Sequence, residues 1–157
     1  MSALDLDDYL PYLLNRAGSR IAAAFSEAVR DYGISLQMWR VLAALQQQEA
    51  QRIGALSQMT SIEVSTLSRI VDTMEKQGLV ARARSRDDAR AVTVARSEAG
   101  RALTRTIIPL ARHYEAMALK GFSAEEARRL KAMLHRLYAN MAALEEEQRR
   151  SHDRRAG

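Results

Sequence analysis

The chain has 157 residues, 47% of them apolar and 27% charged, and these proportions indicate a folded domain rather than a disordered segment. It contains no cysteine, which excludes disulfides, thiolate nucleophiles and cysteine-ligated zinc, and its three histidines are too scattered for a metal site. The formal charge of +5 favours a polyanionic partner. Because no apolar run could span a bilayer and the acidic N-terminus is unlike a signal peptide, we expect a cytoplasmic protein without a membrane partner.

The first half of the chain has the apolar periodicity of helices. A long amphipathic helix is predicted over about residues 10–32, and Gly33 ends it. Ser35 is suited to cap the next helix, because its hydroxyl can accept from free backbone N–H groups. A short helix is predicted around 53–59 and another over about 62–77.

A change of periodicity follows, from about 3.6 residues to two. Alternating runs at 79–84 and 91–96 flank a polar turn at 85–90. This pattern is typical of a β-hairpin with a loop longer than the tightest kind.

The helical period returns after this hairpin. One helix is predicted over about 98–120, and a capping-box pattern from Ser123 to Glu126 opens the last helix. The residues beyond Gln148 are charged, so a flexible tail is expected there. A short helix, a turn, a second helix and a hairpin make a winged helix–turn–helix. The sequence therefore predicts a mainly α fold in which this winged helix–turn–helix, with its small β-hairpin wing, is flanked by long helices.

The helix predicted over 62–77 presents a small polar face opposite an apolar one that consists of Val64, Leu67, Ile70, Val71 and Met74. That outer face carries Ser65, Arg69, Asp72, Thr73 and Lys76. Short side chains let a backbone approach the major groove, and Arg69 can reach a guanine edge or a phosphate. Glu63, at the start of this helix, disfavours phosphate and is suited to pair with Thr60 in a capping box. An ordinary amphipathic surface helix would show the same pattern.

The predicted hairpin and the start of the next helix are strongly basic. Residues 82–105 contain seven arginines against three acidic residues. Arg82, Arg84 and Arg86 alternate, so we expect them on one side of a strand and its turn. Such a strip fits a wing laid along or into the minor groove of DNA, where the negative potential favours arginine. A wing that is merely solvated is the alternative.

Three motifs in a fixed order carry a family resemblance. They read STLSRIVD from residue 65, KQGLV from residue 76 and DAR from residue 88, the last followed by Val94, Ser97 and Gly100. In this order and spacing the chain resembles the MarR family of bacterial transcriptional regulators, over essentially its whole length. It departs from the family pattern at Arg96 and Ser97, where the family usually has leucine and threonine. Ser97 keeps a capping hydroxyl, whereas Arg96 replaces an apolar contact with a charge.

This resemblance and the basic strip together predict a set of DNA-binding residues. The set is Ser65, Thr66, Ser68, Arg69, Arg84, Arg86, Asp88 and Arg90. The resemblance implies that the first four lie on or beside the DNA-reading helix and that Arg90 enters the minor groove from the wing tip. It also implies that Asp88 braces Arg90 through a charge-assisted pair, although a plain turn residue is another good role for Asp88.

The resemblance further implies a triangular homodimer held by the terminal helices. One copy of such long amphipathic helices offers little core for its length, and pairing two chains would bury the apolar stripes. We expect residues 1–34 to form an N-terminal dimerisation helix, 35–100 the DNA-binding domain, 101–148 the C-terminal dimerisation helices and 149–157 a charged flexible tail. A two-fold dimer implies a pseudo-palindromic operator on double-stranded DNA.

A small-molecule effector is also implied, because many relatives release DNA when an aromatic acid or a phenol binds between the reader and the dimer helices. The absence of cysteine excludes the oxidation-sensing branch. A carboxylate ligand needs a cation beside an apolar, aromatic-lined cleft. The candidate effector residues are Arg16, Arg20, Trp39, His113, Tyr114 and Tyr9. Each has an ordinary alternative: the arginines as surface or interface charges, Trp39 as a core residue and His113 as a solvated helix residue.

The sequence therefore predicts a sequence-specific regulator, a homodimeric repressor released by an aromatic acid or phenolic effector, with no cofactor. A sequence-tolerant architectural DNA-binding protein is the alternative, and it would bind with a steep salt dependence and little preference among sequences. A helical adaptor whose basic wing contacts an acidic partner is a third reading. An enzyme is disfavoured, because no paired carboxylates, nucleophile–base set or glycine-rich phosphate loop is present.

Overall fold

The computed structural model describes residues 4–84 and 91–156. Within them the chain forms six helices and three short strands, which confirms the mainly α fold with a small sheet. In chain order the elements are α1 (Leu10–Arg30), α2 (Leu36–Gln47), β1 (Gln51–Arg52), α3 (Ile53–Thr60), α4 (Val64–Lys76), β2 (Val80–Arg84), β3 (Val92–Arg96), α5 (Glu98–Ala118) and α6 (Ala124–Ala156). No helix in these residues is long and apolar enough to cross a membrane.

The three strands form one antiparallel sheet in the order β1–β3–β2. Strands β2 and β3 make the predicted hairpin, with Val80 opposite Arg96. Strand β1 pairs with the other edge of β3, with Gln51 opposite Val94. The sequence did not predict β1, because a two-residue strand has no alternating pattern to recognise.

The chain divides into two compact units, Met1–Glu115 and Ala116–Gly157. The first unit contains a buried core drawn from α1 to α5 and the sheet, and its largest fully buried side chains include Leu42, Leu45, Leu56, Leu67, Met74 and Ile107. The apolar face of α4 packs into this core as predicted, with one exception. Val64 was predicted on that face and is 49% exposed, because α4 begins there and its first three residues are all exposed.

Short polar contacts set the helix ends of the first unit. The Ser35 hydroxyl accepts from the backbone N–H of Met38 at 3.2 Å, which confirms Ser35 as the cap of α2. Gly78 follows α4 with φ of +72°, a left-handed conformation that ends the helix and directs the chain into β2. At the start of α5, the Ser97 hydroxyl donates to the carbonyl of Gly78 and accepts from the N–H of Gly100 at 3.0 Å.

The second unit consists of the end of α5 and the helix α6. Ser123 and Glu126 form the predicted capping box: the N–H of Ser123 donates to the Glu126 carboxylate at 2.7 Å, and the N–H of Glu126 donates to the Ser123 hydroxyl at 3.2 Å. Helix α6 extends to Ala156, past Gln148, where the sequence predicts a tail. Good helix formers fill this stretch, and Glu146 pairs with Arg150 one turn away at 3.6 Å, which explains the longer helix.

Candidate functional site

The turn between α3 and α4 positions the outer face of α4. Ser61 closes α3 in the left-handed conformation, with φ of +55°. The Ser57 hydroxyl donates to the carbonyl of Ile62 at 2.6 Å, and the Ile62 side chain is buried in the core. These contacts hold the two helices in the helix–turn–helix arrangement and leave the first turn of α4 facing solvent.

Glu63 caps α4 and fills the N-terminal end of that helix. Its carboxylate accepts from the Ser65 hydroxyl and from the backbone N–H groups of Ser65 and Thr66, at 2.9 Å and 3.1 Å. The hydrogen bond from the Ser65 hydroxyl, followed by the two backbone bonds, lowers the pKa of Glu63. The predicted pairing of Glu63 with Thr60 is therefore wrong, because Thr60 belongs to the last turn of α3 and its hydroxyl donates to the carbonyl of Leu56.

The predicted DNA-binding residues of α4 lie on its outer side. Ser65, Thr66 and Arg69 are exposed, and Ser68 is half-buried at the margin of the core. Since the Glu63 carboxylate already occupies the helix N-terminus, the positive charge nearest this end is the exposed guanidinium of Arg69. The N-terminal half of this face can therefore offer hydroxyl groups and the guanidinium of Arg69 to a polar ligand.

Arg82 ties the wing to α4. Its guanidinium lies 2.6 Å from the Asp72 carboxylate and 2.7 Å from the Glu75 carboxylate, and its backbone N–H donates to Glu75 at 3.1 Å. This backbone bond, together with the side-chain bond from Arg82, lowers the pKa of Glu75. The expectation that Arg82 belongs to a strip facing an anion is therefore wrong, because two carboxylates of α4 compensate its charge.

Among the wing residues of the predicted DNA-binding set, Arg84 is the one that the structure describes. It is exposed at the end of β2, opposite Val92. The predicted roles of Arg86, Asp88 and Arg90 lie outside the described residues.

Three of the candidate effector residues belong to an aromatic cluster in the first unit. The ring of Phe25 on α1 lies edge-on to Trp39, with centroids 6.0 Å apart, and edge-on to Tyr114, with centroids 5.5 Å apart. His113 in turn contacts Tyr114, at 5.8 Å. Phe25 was missed as a site residue, because in the sequence it is one more apolar position in the stripe of α1.

The other three candidates lie on the first half of α1 or directly before it. Arg16 and Arg20 line a hollow of about 640 Å³ together with Leu13, Ala17 and Ser19. The Arg16 guanidinium is 3.6 Å from the Asp7 carboxylate and 5.4 Å from the centroid of the Tyr12 ring. Tyr9 is the exposed residue just before α1. Five of the six candidates thus fall into a basic pair on α1, Arg16 and Arg20, and an aromatic group around Phe25, and Tyr9 belongs to neither. In the part of the chain that the structure describes, no cluster of acidic residues and histidines could hold a metal ion.

Comparisons with known proteins agree on one family. A model of the MarR family matches residues 34–92. A MarR family transcriptional regulator from Silicibacter pomeroyi, whose crystal structure is known, is 31% identical in sequence to this chain. The structural match covers 88% of this chain and 96% of that protein's chain, with a TM-score of 0.79. The transcriptional repressor IacR of Pseudomonas putida is 26% identical over 88% of this chain and 83% of its own length. BpsR of Bordetella bronchiseptica, whose DNA binding is regulated by 6-hydroxynicotinic acid, is 25% identical over 82% of this chain and 98% of its own, with a TM-score of 0.74.

Proposed function

The chain belongs to the MarR family of DNA-binding transcriptional regulators, which are not enzymes, and we propose that it is a homodimeric repressor of the cytoplasm. It reads a pseudo-palindromic operator with α4 and the wing, and a small aromatic acid or phenol releases it. One observation carries the DNA-reading part of this proposal. The exposed face of α4 is braced by Arg82 against a basic wing, so that both elements can contact one duplex as a unit.

Arg69 is the residue of α4 with which we test sequence-specific recognition of DNA. Its exposed guanidinium can donate two hydrogen bonds to the edge of a guanine or bind a phosphate. We expect Arg69→Ala to weaken operator binding about ten- to a hundredfold, the effect of one well-placed contact. Arg30→Ala is the matched control, because Arg30 is an exposed arginine that ends α1 and pairs with Glu27.

Selection of random duplexes on the purified protein supplies the operator for this measurement. A palindromic consensus that depends on Arg69 supports a sequence-specific regulator. If no consensus emerges and binding disappears at moderate salt, the protein is an architectural DNA-binding protein. A pure preparation that binds no DNA at all would favour the adaptor that contacts an acidic protein.

The dimer proposal rests on apolar side chains that the single chain leaves exposed. On α6, five such residues are between 40% and 62% exposed: Met133, Leu134, Tyr138, Met141 and Leu144. On α1, four more are exposed, namely Leu10, Leu13, Leu14 and Ile21. Apolar faces of this extent on a small protein are typical of subunit interfaces.

Deletion of residues 1–20, or of the chain from Ser123 onwards, should therefore abolish dimerisation and with it tight DNA binding. A finer variant, Leu134→Glu with Met141→Glu, places two charges on the apolar face of α6 without shortening the chain. Sedimentation measures the oligomeric state, and fluorescence anisotropy with the selected operator measures affinity. A truncated monomer that still bound the operator fully would overturn the proposal.

An aromatic acid is the proposed effector class. The cations of Arg16 and Arg20 suit its carboxylate, and the edge-to-face cluster of Phe25, Trp39 and Tyr114 suits an aromatic ring. The regulation of BpsR by 6-hydroxynicotinic acid is consistent with this class.

The test adds benzoate, phenol or 6-hydroxynicotinic acid to the protein–operator complex. We expect Arg16→Ala and Arg20→Ala to bind the operator normally while losing release by the acids, and Arg30→Ala to respond like the parent protein. If both α1 variants respond normally, the arginines are surface or interface charges and the effector site lies elsewhere.

A further inference from the structure

Arg96 is buried where the family pattern usually has leucine. It is the last residue of β3, its exposure is 6%, and Val80 pairs with it across the hairpin. Its guanidinium donates one hydrogen bond to the side-chain oxygen of Gln46 and another to the carboxylate of Glu49. The same Glu49 carboxylate lies 3.5 Å from the guanidinium of Arg101.

These four side chains join four separate parts of the first unit. Gln46 lies in the last turn of α2, Glu49 in the turn between α2 and β1, Arg96 at the end of β3 and Arg101 in the first turn of α5. We call them the Arg96 cluster. The cluster therefore connects the sheet that forms the wing to helices α2 and α5.

The turn held by this cluster is strained. Ala50, directly after Glu49, has φ of +55°, a left-handed conformation that a residue with a side chain rarely adopts. Two residues later the chain has entered β1, the strand that adds a third member to the wing sheet. The ion pairs of Glu49 with Arg96 and Arg101 thus fix the turn from which β1 starts.

Stability alone does not account for a buried arginine at this place. Removing a guanidinium from water is unfavourable, and Nε of Arg96 has no hydrogen-bond partner in the described part of the chain. A leucine of similar size would avoid both penalties. The ion pair of Arg96 with Glu49, whose side chain is 44% exposed, instead constrains geometry, because the partners must meet at one distance and in one orientation.

We propose that Arg96 is a positioning residue for DNA binding, which holds the root of the wing at a fixed angle to α2 and α5. The wing then has two anchors. Arg82 binds α4 on the β2 side. Arg96, on the central strand, binds Gln46 of α2 and, through Glu49, is linked to Arg101 of α5. This proposal rests on the proposed function in one respect, namely that the wing contacts the operator. The fixed angle directs the wing at the base pairs that flank those read by α4.

Three variants of the full chain test the proposal. Arg96→Leu removes the cluster and restores the family's apolar residue. Arg96→Lys keeps the charge, but a single ammonium group cannot reproduce the two simultaneous hydrogen bonds of the guanidinium to Gln46 and Glu49. Arg105→Leu is the matched control, since it removes an exposed arginine of α5 whose partner is Glu98, and so changes the net charge equally.

The measurements distinguish an effect of Arg96 on the position of the wing from an effect on the stability of the fold. We expect Arg96→Leu to unfold at the same or a higher urea concentration than the parent protein. We also expect it to bind the selected operator roughly 2- to 30-fold more weakly and to discriminate less against operators changed at the base pairs that flank those read by α4. Arg96→Lys should lose the same discrimination, whereas Arg105→Leu should retain it.

Hydrogen exchange supplies a readout that does not depend on DNA. In Arg96→Leu the amides of β1 and of its neighbours on β3 should exchange faster, while those of α1 stay unchanged. Parent-like exchange at β1, or unchanged discrimination at the flanking base pairs, would overturn the proposal, as would an equal loss of discrimination in Arg105→Leu. A parent protein that selects no operator would contradict the proposed function instead, and faster exchange at β1 would still support the anchoring of the wing root.

Discussion

Gly100 lies where α5 meets the chain between α4 and the wing. A Cβ atom on Gly100 would be 2.0 Å from the carbonyl oxygen of Leu79 and 3.1 Å from its carbonyl carbon. That oxygen accepts a hydrogen bond of 3.0 Å from the N–H of Ser97. Since the obstacle is backbone, no side-chain rotation can relieve it, and Gly100→Ala must push α5 away from this junction.

The expected change in the free energy of unfolding on Gly100→Ala has three contributions. Overpacking at a buried site costs about 1–3 kcal/mol, and weakening the hydrogen bond to Leu79 costs about 1 kcal/mol. Alanine is better than glycine inside a helix by about 1 kcal/mol, which offsets part of the loss. We therefore expect Gly100→Ala to lower the free energy of unfolding by roughly 1–3 kcal/mol.

Urea unfolding followed by circular dichroism measures this change. Parent and variant are compared at one protein concentration, because the stability of a dimer depends on concentration. Gly54→Ala in α3 is the matched control: apart from its chain neighbours and the nearby backbone of α3, no described atom lies within 4 Å of the added Cβ. It should therefore be neutral or stabilising by up to about 1 kcal/mol. If Gly100→Ala is as stable as the parent, or if both variants lose stability equally, the steric reasoning is refuted.

Three further predictions concern the reader and its wing. Because folding lowers the pKa of Glu63, its capping contribution to stability is present above about pH 4.5 and is lost as the pH falls through the pKa of the folded state. The melting temperature of Glu63→Gln should therefore depend less on acid pH than that of the parent protein. A parent-like acid dependence would contradict this. Arg82→Met should destabilise by about 1 kcal/mol and speed hydrogen exchange in β2, and unchanged exchange would disprove the brace. Leu67→Ala removes a fully buried side chain and should cost about 2–5 kcal/mol in urea unfolding, whereas a smaller loss would mean that α4 collapses onto the cavity.

Most of the elements could be predicted, because they depend on residues close together in the chain. The apolar period of α4, the alternation of the hairpin and the capping box from Ser123 to Glu126 are all local patterns, and the structure contains each of them. The errors lie at element boundaries. Val64 is exposed because α4 starts there, and Glu63 caps its own helix rather than pairing with Thr60.

The candidate site was predictable in part, for the same reason. The polar face of α4 follows from a helical period, so the sequence alone placed Ser65 and Arg69 on one side of that helix. It could not assign partners to the basic residues of the wing. Arg82 and Arg84 look alike in the strand pattern, yet Arg82 meets two carboxylates of α4 and Arg84 is exposed.

The sequence by itself determined the family, the order of the elements and the polar face of the reading helix, since motif spacing and periodicity are properties of the chain. Only the tertiary structure decided which distant groups meet. It brought Trp39 and Tyr114 together around Phe25, and it buried Arg96 against the end of α2. The physical reason is that packing, not periodicity, selects the neighbours of a side chain. A charge that looks solvated in the sequence can therefore become a buried anchor when two distant elements close around it.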